Sequence, residues 1–244
     1  TKGTIMKSLF NCMSAACIIA AGGAFAEEVN GKWGGQSFYG FAEYGVAKSD
    51  INVSSASVTS GSYTYTEALD STGTVAKLGV GFAIAEKTSF ELYSGRLKGF
   101  ANTATITATN AVVSGQTWNG SLVAKEEVSA DLLGINVVMS DKHLFEDGSE
   151  VSYFGRAGVV RFDLKDVISL SGGGTVDGAA VNVSAAIATL KQTGTTMSLG
   201  GGVAYSLGNG MVVNGALDYI PNVGGGFLSK SNVTTLSVGL SKSF

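Results

Sequence analysis

Six polar residues interrupt stretches whose neighbours are apolar or small. Glu43, Lys77, Glu91, Arg156, Asn214 and Asp218 each fall on the polar side of a segment in which side chains alternate in character. Mixed signs on one face suit mutual pairing, because a guanidinium grips a carboxylate with two parallel hydrogen bonds and an ammonium adds a mobile point charge. The set contains no nucleophile beside a base. The single histidine, His143, lies in a polar stretch at 140–149 that reads as a turn. Neither a metal nor a cofactor is expected.

Only an extended strand separates two faces with a period of two, so each of these residues must be held by a strand. The clearest strand is the last, 233–244. Leu236, Val238, Leu240 and Phe244 lie on one face, and Thr235, Ser237, Gly239, Ser241 and Ser243 on the other. A soluble sandwich hides the apolar face in its core, whereas a membrane barrel turns it to lipid. Alternation alone leaves both open.

Similar stretches recur at 36–47, 74–84, 88–98, 128–139, 150–164, 196–207 and 211–219. With the last, that makes eight strands. Gly208, Asn209 and Gly210 mark a tight turn, as does the segment 85–87, and Pro221 is expected to end the seventh strand because it lacks an N–H for the ladder. Three long segments rich in Ser, Thr and small residues, 49–73, 99–127 and 165–193, are expected to be loops, with a shorter fourth at 222–232. One copy of the glycine-rich run 172–178, without a nonapeptide period, points to a loop tip rather than a calcium repeat.

The first residues set the compartment. Lys7 precedes an apolar stretch ending in Ala24, Phe25 and Ala26, the pattern of a secretory signal peptide cleaved after Ala26. Residues 1–5, ahead of Met6, are expected to be an upstream artefact, and 27–35 a periplasmic lead. Cys12 and Cys17 both lie in the removed segment, and the aliphatic residue that a lipoprotein signal needs ahead of Cys17 is missing. The mature chain keeps 14 basic and 19 acidic residues, a net charge near −5. That opposes nucleic acid as a partner.

With Phe244 at its end, the Glu91-Leu92-Tyr93 segment and glycine-rich alternation throughout, the chain resembles the small outer-membrane barrel family, the OmpA-type and opacity-protein-like barrels of porin-family fold. The resemblance covers 36–244. It implies an all-β, eight-stranded, closed antiparallel transmembrane β-barrel, a meander with short periplasmic turns and long extracellular loops, in the outer membrane of a Gram-negative cell. It also implies that Phe244 is the signal recognised by the barrel assembly machinery, after delivery by periplasmic chaperones.

Parity then separates lipid from lumen. A carboxylate facing lipid is costly near the midplane, so the Glu43 face must be the lumen. Phe38, Phe90, Tyr153, Tyr205 and Phe244 fall toward the turn side and Tyr44 and Tyr219 toward the loop side, as two interfacial girdles would. Eight strands enclose an interior just wide enough for side chains, so the six lumen residues are expected to plug it. Arg96 and Lys98 share the outward face at the loop end of the third strand, where lipopolysaccharide phosphates would lie. The expected role is non-enzymatic: structural support, with adhesion or recognition of a host or surface ligand through the loops. The alternative is a narrow channel for small solutes or ions. A lipid-modifying enzyme would need a base at the loop side, and His143 falls at the turn side.

Overall fold

Residues 38–50, 56–144, 150–225 and 228–244 are described by the computed structural model, and strands dominate them. In chain order these are β1 (Phe38–Ser49), β2 (Ser57–Ser60), β3 (Tyr63–Asp70), β4 (Thr72–Ala85), β5 (Thr88–Val113), β6 (Gln116–Leu144), β7 (Glu150–Val176), β8 (Ala179–Gly208), β9 (Met211–Gly225) and β10 (Leu228–Ser243). The proposed signal peptide, the lead and the centre of the turn at 145–149 lie outside the described residues.

Eight of these strands close a ring. β1 pairs antiparallel with both β10 and β4, and the ladder continues through β5, β6, β7, β8 and β9 back to β10. Near the seam Tyr39 faces Ser243, and the Phe244 amide donates to the Phe38 carbonyl at 3.0 Å. A closed ladder satisfies every backbone group internally, which is what hydrocarbon demands.

Side-chain parity follows the expected assignment. Leu236, Val238, Met197, Leu199, Val159 and Ile135 point outward and are more than half exposed, while Val75, Leu97, Val160 and Ile220 are buried inside. This belt far exceeds the few hundred Å² of contiguous apolar surface that a soluble monomer tolerates. The outward aromatics of both expected girdles are likewise exposed.

The long segments differ from expectation. Most of 99–127 and 165–193 is strand: β5 and β6 continue to a turn at Ser114 and Gly115, and β7 and β8 to one at Asp177 and Gly178. At each tip both central residues have positive φ, 50° and 80° at the first and 49° and 80° at the second, as a two-residue hairpin turn of type I′ requires. The segment 49–73 contains a further hairpin, β2 and β3, laid against residues 101–108 of β5. These hairpins extend half of the barrel wall upward. Ser, Thr and small residues populate both faces there because water, not lipid, lies around them.

Pro221 does not end its strand. β9 runs on to Gly225, but its ladder with β8 stops at Tyr219, and its pairing with β10 passes from Ile220 to Val223. The missing N–H is absorbed by this irregularity, while the Pro221 carbonyl accepts from the Thr196 hydroxyl at 2.5 Å.

Candidate functional site

Five of the six predicted lumen residues meet at mid-height. β1 brings Glu43 directly opposite Lys77 on β4, β7 contributes Arg156, and β9 contributes Asp218. Arg156 is held by two forks. Its Nη1 and Nη2 donate to Glu43 Oε1 and Oε2 at 2.7 and 2.9 Å, and its Nε and Nη2 donate to Asp218 Oδ1 and Oδ2, both at 2.6 Å. Lys77 bridges the same two carboxylates from the other side, 3.3 Å from Glu43 Oε2 and in contact with Asp218. All four side chains are nearly fully buried.

Glu91 joins at the margin. Its Oε2 lies 3.8 Å from Arg156 Nη1 and its Oε1 accepts from the Tyr39 hydroxyl at 2.9 Å. Asn214 stands beside Glu43 below the cluster, yet its Oδ1 has no hydrogen-bond partner. Sequence parity puts Tyr39, Tyr93, Asn136 and Ser237 inside without singling them out, and all four have a part here. Ser198 donates to Asn136 at 3.0 Å, Ser237 to Glu43 at 3.4 Å, and the Lys77 ammonium sits 5.8 Å from the Tyr93 ring centre. A tyrosine on the lumen face was the available signal, since a buried phenol needs a polar partner.

Glycine makes the room. A Cβ on Gly200, which faces Arg156 across β7 and β8, would sit 1.9 Å from Asp218 Oδ1. The carboxylate that grips Arg156 occupies that space.

Above the ions the lumen is apolar. Ala47, Val75, Leu97, Leu132, Val160 and Ile220 form a packed layer on the mouth side of the cluster. The lumen is therefore polar chiefly in its lower part, because the inner residues nearer the mouth pack against one another rather than against water. Over this layer opens a vestibule of about 230 Å³ with an apolar floor that includes Leu97, Phe100 and Val233, and polar walls that include Asp70, Asn102 and Glu126. The sequence offered no indication of it, since much of its wall lies in segments expected to be loops.

The other predicted residues lie apart. Arg96 and Lys98 are exposed at the upper rim of the belt, and Arg96 pairs with Asp131 at 2.9 Å. His143 lies near the turn end of β6, remote from the vestibule. Among the described residues no group of three His, Cys, Asp or Glu side chains could hold a metal ion.

No protein-family model and no curated protein matches the chain. Among solved structures, it is similar to Neisserial surface protein A at 16% identity, covering 86% of this chain and 99% of that one with a TM-score of 0.45. It is similar also to the attachment invasion locus protein of Yersinia pestis in complex with the heparin analogue sucrose octasulfate, at 12% identity over 85% and 99% with a TM-score of 0.42. The outer membrane protein OprG of Pseudomonas aeruginosa shares 14% identity over 86% and 97%, with a TM-score of 0.43. In this chain, the closed ladder, outward apolar belt and inward charges together make a membrane-spanning barrel of the outer-membrane type.

Proposed function

We propose that this barrel is a non-enzymatic outer-membrane anchor whose raised hairpins act in surface recognition or adhesion. The plugged lumen carries the reading: the clamp around Arg156, roofed by the apolar layer, leaves the wall above as the part free to meet a partner. That wall is roughly 40 Å of β-sheet, from about 13 residues of β6 at ~3.3 Å each. It presents Ser, Thr, Ala and Gly with Val181, Val183 and Ile187 exposed. The partners that fit are a host or cell-surface ligand at the hairpins, lipopolysaccharide at Arg96 and Lys98, and the assembly machinery at Phe244.

Purified protein in planar bilayers tests the plug. No steady conductance is expected from the parent, and a cation-favouring conductance from Arg156→Ser, in which Glu43 and Asp218 lose their clamp. Steady single-channel steps from the parent would put the narrow channel first. On cells, removing 171–184 and closing β7 onto β8 with Asp-Gly should abolish adhesion while leaving the barrel inserted. Undiminished adhesion would reject the wall as the recognition surface.

A further inference from the structure

Beside the vestibule the inner face of the raised wall carries oxygens with nothing to bind. Asp166 on β7 is 1% exposed, and neither of its carboxylate oxygens has a hydrogen-bond partner. On the adjacent strand β6, Glu126 lies on the same face, diagonal to Asp166 and two positions from its pairing partner Val128, and it too is an acceptor. Two carboxylates side by side, one of them sealed from water, need something positive between them. Lys125 and Lys165, the basic residues closest in sequence, alternate onto the opposite face, where Lys125 pairs with Glu127 at 2.6 Å.

A third oxygen is positioned alongside. Asn102 on β5 lies directly across from Glu126. Its Nδ2 donates to Glu67 Oε1 at 3.1 Å, and Glu67 Oε2 in turn accepts from the Tyr65 hydroxyl at 3.0 Å. That chain fixes the amide's orientation and commits its nitrogen, while its Oδ1 is buried without a partner. Orientation of a ligating group by an outer hydrogen bond is a usual part of a metal site.

We propose that Asp166, Glu126 and Asn102 Oδ1 form a site for a divalent cation of the calcium class, on the wall of the vestibule. Only oxygen donors are offered, and they come from carboxylates and an amide, which selects a hard cation. The third ligand is an amide, so the site escapes a pattern built on His, Cys, Asp and Glu alone, and no sequence motif points to a metal there. Water from the vestibule completes the coordination through Glu126, which lines it. Calcium tolerates such an irregular, partly wet shell, whereas magnesium demands near-octahedral geometry. The ion would tie β5, β6 and β7 together above the membrane. This inference stands on the wall's geometry and not on the adhesion reading.

Isothermal titration of calcium chloride into the chelator-washed, detergent-folded chain at pH 7.5 tests it. One saturable site is expected, with a dissociation constant on the order of 10⁻⁴–10⁻³ M, the range of extracellular calcium modules. Asp166→Asn and Glu126→Gln should each weaken it at least tenfold, with heat-modifiable gel migration confirming that both variants keep a closed barrel. Magnesium should bind more weakly than calcium. Absence of saturable calcium binding by the parent up to 10⁻² M, or equal binding by both variants, would overturn the site and leave a proton shared by the two carboxylates as the bridge.

Discussion

The barrel within the belt and the wall above it are built from the same strands but under opposite rules. Inside the belt, lipid lies on one side and a sealed lumen on the other, so every residue is sorted by face: Val238 is 64% exposed while the adjacent Ser237 is 1% exposed. Above the belt β8 is exposed from Ala179 through Ile187 regardless of parity. The ladder also changes. Within the belt it has no edge, whereas above Leu199 β8 has no described ladder pairing on the β9 side. One part of each strand is therefore specified by burial and the other chiefly by its hairpin ladder.

Breaking the clamp should have the largest effect. Arg156→Ser leaves Glu43 and Asp218 facing each other with Lys77 alone between them, and loss of one partner of a buried pair costs about 3–5 kcal/mol, less where water enters. Urea unfolding of the folded barrel measures this. A loss below ~1 kcal/mol would show the ions to be hydrated already and erase the contrast between sealed lumen and wet wall.

Next comes Gly200→Ala. Its Cβ would press on Asp218 and on the Leu217 carbonyl, at 1.9 and 2.9 Å. Overpacking of this kind costs about 1–3 kcal/mol. The same unfolding experiment checks it, and Gly178→Ala at the hairpin tip, strained only by its φ of +80°, should leave the barrel's midpoint unchanged.

A local effect is expected in the wall. Burial, followed by the neighbouring charge of Glu126 and its hydrogen bond, pushes the Asp166 carboxyl up to about 6. The folded wall thus holds this proton more tightly than the unfolded chain, whose aspartates titrate near ~3.9. The stabilisation is complete at low pH and is lost as pH rises from about 4 through 6. Without calcium, amide exchange around Asp166, corrected for intrinsic rate, should show weaker protection at pH 7.5 than at pH 5. Asp166→Asn should flatten the difference. Glu67, Asp70 and Glu126 also face this region, and a profile unchanged by Asp166→Asn would refute the assignment to Asp166.

Smallest should be the effect of hairpin truncation on the barrel. Removing 171–184 takes away wall only, and barrel stability should stay within about 0.5 kcal/mol. A larger loss would mean that wall and barrel unfold as one unit.

The same contrast explains what could be read from the chain. Eight strands and their facing were legible because lipid forces apolar residues outward at every second position, from Phe38 to Val46 and from Leu236 to Leu240. The clamp was legible because a charge inside such a segment has only the lumen to occupy. The wall was not, since Ser, Thr and Ala serve equally on two wetted faces and leave no period to detect. A local signal is present all the same: Asp177-Gly178 is a strong two-residue hairpin turn, inside a segment whose composition predicts a loop. With the wall unread, Asn102, Glu126 and Asp166 had no common face on which to meet. Glu91 and Asn214 show the converse limit, because parity places them inside but cannot say that the forks of Arg156 go to Glu43 and Asp218.

Among the described residues the wall rises on one side only. β5 to β8 climb well beyond the belt, while on the opposite side β1 stops at Ser49 and β9 at Gly225. The rim is thus notched, and the vestibule has Val223 and Val233 on its low side. A molecule confined to the leaflet would meet the low side by searching a plane, whereas one arriving from the medium must pass the tall side. Two such visitors would differ in their dimension of diffusion before any contact chemistry begins.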